Sequence, residues 1–505
     1  MKPAIKLSRE TTYVTEFLDK DGYPDYETAL NSKLRGSIKP EDNACVLLAN
    51  AIGPTPGGDR EIPEDYWKWL GISAPPKGEG YFKSYEEYAK SKGIPVEEEF
   101  DKRIDYQLMA QPWKPKEYPH VASWLKTVEA PLAIVTEASK RKEYYSPIVS
   151  RTKSGQKDSL FGCRSLLVSQ IREIGSAYAC RAMLKLAEDR PEEAWQDLIT
   201  CHRLARLAAR GNAFFEYVVG LVLEQMSIQA ELIWLEHTKL NAKQLLSHLQ
   251  QIDSLPPLPT IIGNIDLYER FNLLETICLV HKNGFMYFKN FEQGKVLYDN
   301  VDPDRQIAIQ NQMNWDRIFQ TCSKQVDLAI SIFQEKNREK RAHLIDEYGE
   351  QRSVMKREFG NRDENISQAI EKGNNIPLIE KYCTNRLLYL VNPLNETSYY
   401  SYERAIQSNT NLRIAFALAA YCADYNVYPA KLDALKPNYL ASIPDDLFSG
   451  KPLVYRITDK GYILYSVGRN EIDDGGKFFN DKVSEDEERK DDIGVRMPSR
   501  QEKSR

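Results

Sequence analysis

Phe214, Tyr217, Val218, Leu221 and Val222 recur at i, i+3, i+4, i+7 and i+8, the spacing that gathers apolar side chains on one face of an α-helix. Such a face has to be covered by another element. Just upstream, Ala179 to Glu188 reads as a helix, Asp189-Arg190-Pro191 as a break with proline in a first-turn position, and Glu192 to Ala209 as the next helix. The region from about residue 158 to 253 is therefore expected to form an antiparallel helical arrangement, with Leu198, Val218, Leu221 and Val222 in its core. No second copy of this unit recurs at a fixed period, which favours a bundle over a repeat array.

At 505 residues the chain is longer than one core usually organises. Residues 1–120, rich in Pro, Gly and Tyr, read as an irregular α-rich region. One helix there runs from Pro40-Glu41-Asp42 through Cys45, Val46, Leu47, Leu48 and Ile52 and is stopped by Gly53-Pro54. Residues 121–395 read as a helical body, interrupted by a Pro-rich connector at 254–259. Within it Glu335 to Lys372 is dominated by charge and reads as a solvated helix, broken at Asn374-Asn375-Ile376-Pro377. Residues 396–505 are expected to fold as a unit. The fold class is mainly α, a helical bundle body carrying a small C-terminal α+β domain.

Hydrophobic residues at 42% and charged residues at 28% are those of a folded chain. The formal net charge of -5 gives no general drive toward nucleic acid, and no nucleic-acid partner is expected. The longest apolar run, Ile414 to Ala423, is too short to span a bilayer, so no transmembrane segment is read, and the chain as given reads as soluble. Thr11, Thr12 and Tyr13 stand where a signal peptide would be apolar. Eight scattered cysteines without a CxxC pair read as reduced thiols. Localisation stays open at this point: cytoplasmic by the absence of a signal, or the envelope if the start codon is misassigned.

Phosphate-cradling loops, Gly-x-Ser-x-Gly elbows, His-Glu-x-x-His helices and dinucleotide fingerprints do not occur in the sequence. No two of the six histidines stand four apart, the spacing with which a helix chelates a metal. His202 is the one weak catalytic candidate, because Trp195, Leu198, Ile199 and His202 share a helical face and a buried imidazole can be tuned as a base. A hydrogen-bonded core histidine is the favoured reading of the same pattern.

The last hundred residues have a different grammar. Leu412, Ala415, Phe416, Ala419 and Ala423 form a helical stripe. Leu432 and Leu435 fit a short turn, and Leu453–Ile457 and Tyr462–Val467 fit two strands around Thr458-Asp459-Lys460-Gly461. That order, with the strings YPAKLDALKPNYL, IPDDLFSGKPLVYR and GYILYSVGRNEIDDGG, resembles the globular domain of the type II secretion major pseudopilin. The string GYILYSVG is the most specific match. This chain departs from the family at Leu447, where the turn usually carries proline, and in a charged insertion from Lys477 to Lys490. Some 390 residues also replace the family's membrane-spanning stalk. The front of the chain, with TTYVTEFLDKDGYPDYETALN and NACVLLANAIGP, resembles large uncharacterised bacterial proteins of this architecture, a likeness that brings no activity with it.

The resemblance implies a structural calcium ion in the acidic loop, held by Asn470, Asp473, Asp474, Asp491 and Asp492. It also implies protein partners, with an envelope or secretion setting. The first functional reading is a non-catalytic binding or scaffold protein; its rival is a hydrolase-like enzyme whose site, including His202, is assembled from distant segments of the helical body. A cleft around His202 would favour the enzyme, and a sealed His202 the scaffold.

Overall fold

A computed structural model describes residues 5–498 except 59–60, 96–106, 150–158, 161–162, 164–166, 212, 286, 289–301, 361–362, 392–395 and 479–489. Short helices open the chain: α1 (Tyr26–Arg35), α2 (Ala44–Ile52), α3 (Glu64–Leu70), α4 (Tyr85–Ser91), α5 (Pro119–Thr127) and α6 (Glu129–Ser139). Local chemistry sets their ends. The Asn43 side chain accepts from the Cys45 N–H to start α2, and Gly53, at φ 84°, ends it where a Cβ would be strained.

Four longer helices follow, α7 (Val168–Ala187), α8 (Pro191–Ala208), α9 (Phe214–His237) and α10 (Ala242–Asp253). The α7–α8 hairpin turns at Asp189 and Arg190, with Pro191 as first helical residue, as the sequence predicts. Its first helix begins earlier than expected, at Val168 instead of Ala179. α9 lies against both helices, and a Cβ on Gly220 would run into the Ala209 backbone. Leu198 and Leu221 are buried as expected. Val222 is not: it is 43% exposed, while Phe214 and Val218 are half-buried. The buried side of α9 runs instead through Tyr217, Gly220, Leu221, Glu224, Ile228 and Glu231. Because α9 is apolar almost all round, periodicity alone selects the wrong edge of its face.

The second block comprises α11 (Arg270–Asn283), entered through a π-helical turn at Ile265–Glu269, then α12 (Pro303–Gln310), α13 (Trp315–Gln334), α14 (Arg338–Gly360), α15 (Asp363–Lys372) and α16 (Ile376–Leu390). The charged stretch read as one solvated helix is two helices. Ile345, Tyr348, Ile366 and Ile370 bury one side of them.

The 30-residue α17 (Glu396–Tyr425) leads to a three-stranded antiparallel sheet of order β1-β2-β3, with β1 Val454–Thr458, β2 Gly461–Ser466 and β3 Ile493–Met497. The first two strands form the expected hairpin; β3, paired Ile493 to Ser466 and Met497 to Tyr462, is an addition to the sequence reading. Asp446, 3% exposed, organises the turn before the hairpin. Its carboxylate accepts from the Phe448 and Val467 N–H groups and the Ser449 and Ser466 hydroxyls at 2.7–3.1 Å. At Leu447 the backbone N–H donates to Gln407 Oε1 at 2.9 Å, a bond that proline could not make.

Two apolar cores run through the described residues. One joins α2–α10 to Leu412–Ala420 of α17 and to Leu435, Tyr462, Leu464 and Val495 of the C-terminal segment. The other joins α1 to the second helical block and to Tyr399 and Ala405. α17 thus belongs to both. From Asn411 to Ala420 it is buried on nearly every side, as expected of a helix apolar all round, although Ala423 of the predicted stripe is exposed.

Candidate functional site

The only catalytic candidate in the sequence lies at the junction of α8, α9 and α17. His202 is completely buried, and both ring nitrogens face carboxylates: Nε2 is 2.8 Å from Glu224 Oε1 and Nδ1 is 3.1 Å from Glu231 Oε1. One turn along α8, Arg206 donates from Nε and Nη2 to the two Glu224 oxygens at 3.0 and 2.6 Å, and from Nη1 to the Pro256 carbonyl at 3.0 Å. Asn409, 203 residues beyond Arg206 and on α17, donates to Glu224 Oε1 at 2.6 Å and accepts from Arg206 Nη2 at 3.3 Å. Glu224 is the hub of this arrangement.

Two acids and two bases leave the cluster without net charge when all four are ionised. Burial works against charge on the His202 ring, yet the Glu224 and Glu231 carboxylates outweigh it and hold the imidazole up at about 9. Burial also opposes ionisation of Glu224, but His202 and Arg206 keep it below the usual carboxylate range. Burial wins at Glu231 and raises it; its Oε2 has no hydrogen-bond partner among the described residues.

This chemistry is self-contained. A base must reach the proton that it takes, and His202 has no exposed edge and no ring nitrogen to spare. Two surface hollows, one lined by Ile366, Lys372 and Leu378 and the other by Arg35, Lys39 and Trp69, lie away from it. Sequence reasoning found His202 but missed its partners. The available signal was Glu224 and Glu231, seven apart among the four glutamates of a largely apolar helix, with Arg206 four residues after His202.

The acidic loop is brought together in part. The Asn470 N–H donates to Asp491 Oδ2 at 3.1 Å, the Asp491 N–H to Asp474 Oδ2 at 3.4 Å, and the Asp474 and Gly476 N–H groups to Asp492 at 3.4 and 2.7 Å. Asp473 turns away, accepting from the Tyr465 hydroxyl at 2.7 Å and from Arg456 at 3.2 Å. Lys490 Nζ stands 3.3 Å from Asp474 Oδ1. Burial raises the Asp491 carboxyl and pushes Asp492 up to about 6. Among the described residues no three His, Cys, Asp or Glu side chains are placed to hold a metal ion as they stand. Most of the inserted stretch lies outside the described residues.

One helix among the described residues, α9, is long and apolar enough to cross a membrane, but 61% of its apolar window is buried inside the fold. Glu216, Glu224 and Glu231 stand buried along it, which suits a core helix. All eight cysteines are free thiols, seven of them buried. The chain matches no family model, no curated protein and no solved structure.

Proposed function

We propose that this chain is a non-catalytic scaffold that presents a pseudopilin-like C-terminal module to protein partners in an envelope or secretion setting. The observation that carries this reading is the sealed His202, whose two ring nitrogens are both occupied by carboxylates. A surface for partners is available on the module, where Tyr425, Val427, Ile457 and Ile472 are 51–61% exposed. A photo-crosslinking residue at Ile457 or Ile472, introduced into the chain in bacterial cells, is expected to trap a defined partner, whereas one at exposed Val354 is not. Turnover of ester, phosphoester or glycoside substrates by the wild type, lost in His202→Gln, would instead establish the hydrolase.

Calcium belongs to this proposal in a reduced form, on Asn470, Asp474, Asp491 and Asp492 without Asp473. The fit is incomplete: an entering ion has to displace the Lys490 ammonium from Asp474. In favour are the raised Asp491 and Asp492 carboxyls, charges that a hard cation would relieve. Without the ion, the Asp492 contribution to stability is present at low pH and lost as pH rises through about 6, because the folded state binds that proton more tightly. Calcium at about a hundred times its Kd is expected to add about 2–3 kcal/mol at neutral pH and flatten that dependence. Calorimetry with calcium and with chelator checks it; coincident melting curves would remove the ion.

A further inference from the structure

The C-terminus of α1, the loop that follows it and Trp69 of α3 enclose a hollow of about 410 Å³. Four polar side chains line it without a hydrogen-bond or ion-pair partner among the described residues. Arg35 is half-buried and Lys39 exposed, and among the described residues neither has an ion pair or a side-chain hydrogen bond, nor do the hydroxyls of Ser32 and Ser37. Glu41 and Asp42 follow closely in the chain, yet neither pairs with these cations. Two half-buried and two exposed side chains around one concavity, none of them bonded within the described residues, therefore keep their donors free for a ligand from outside the chain.

The hollow is also held in shape. Gly71 closes α3 at φ 77°, and a Cβ there would stand 3.4 Å from an Arg35 guanidinium nitrogen and 2.9 Å from Pro40 Cγ. Glycine therefore lets the guanidinium and the Pro40 ring lie against the end of α3. From behind, Arg141 donates to the Pro40 and Asn43 carbonyls, both at 2.9 Å, which fixes the loop and adds a third positive charge to this side. Trp69, half-buried and packed in part against the core, contributes the aromatic side chain of the lining.

We infer that this hollow is a binding site for a small phosphate ester carrying a flat ring, with the phosphate on Arg35, Lys39 and the two serine hydroxyls and the ring against Trp69. A planar guanidinium grips phosphate through two parallel N–H bonds, and an ammonium adds a point charge. Indole is the strongest stacking surface among the side chains. A cavity of this size suits a ligand of nucleoside monophosphate dimensions.

Adenosine monophosphate and inorganic phosphate, titrated separately into the full chain by calorimetry at fixed ionic strength, test the site. Both are expected to bind saturably and competitively, the nucleotide about tenfold or more tightly because the ring adds its own contact. Arg35→Ala should weaken both by about tenfold or more, and Trp69→Ala the nucleotide alone. Lys39→Glu alters an exposed residue without touching the core and should also weaken both. Absence of saturable binding by either probe, or unchanged affinity in Lys39→Glu, would overturn the site. Nucleotide binding no tighter than phosphate would overturn the stacked ring.

Discussion

Glu224→Ala is expected to lower stability by about 3–5 kcal/mol, the range for removing one partner from a buried ion cluster. The substitution leaves His202 and Arg206 in a dry interior with Glu231 as the one remaining acid of the cluster, and leaves Asn409 only the Ala405 carbonyl to donate to. Glu231→Gln is the contrasting variant. Glu231 keeps one oxygen unpartnered and burial already favours its neutral form, so the loss should stay within about 1–2 kcal/mol. Urea unfolding of the three proteins separates them. Alkaline titration adds a signature: the His202 pKa lies above its ordinary 6.5, so its contribution is present below that value and lost as pH rises through about 9. Equal losses in the two variants would show that Glu224 is not the hub.

The second large effect concerns the C-terminal segment taken alone. Residues 396–505, which the sequence alone reads as a folding unit, are expected instead to show no cooperative unfolding transition, because separation uncovers Leu412, Ile414, Phe416 and Leu418, all fully buried in the whole chain in a core shared with α2–α10. Phe416 packs on Trp195 and Trp234 at ring-centroid distances of 5.7 and 6.1 Å. Each such side chain forfeits about 1.5–3 kcal/mol when exposed, and three short strands cannot replace that. Mixing the fragment with residues 1–395 should restore a transition. A sharp melt of the fragment alone would show that its sheet and helix suffice.

Much of the helical layout was legible. Local rules stopped α2 at Gly53, although it starts after Asn43 and not at Pro40-Glu41-Asp42, turned the α7–α8 hairpin at Pro191, and set the β1–β2 hairpin, because caps, prolines and strand alternation act over a few residues. What escaped depends on neighbours distant in sequence. Val222 looks like core because its spacing fits, but α9 is apolar on most sides, and only packing against α7 and α8 selects the buried edge. The charge cluster was half-legible: His202 stood out on an apolar face, while its counter-charges lie 22 and 29 residues on, and Asn409 lies on another helix altogether. β3 is five residues long and follows the charged insertion, so alternation alone could not raise it above its surroundings.

That α17 belongs to both cores has a consequence for the order in which the molecule is made. Synthesis delivers α8 and α9 to solvent about two hundred residues before the helix that closes over them. Until then Trp195 and Trp234 lack Phe416, and Glu224 lacks Asn409. Contacts so far apart in sequence form slowly, and apolar surface left open meanwhile invites association. The nascent chain therefore waits for α17 before its middle can close, which makes a product truncated ahead of that helix a client for chaperones and proteases.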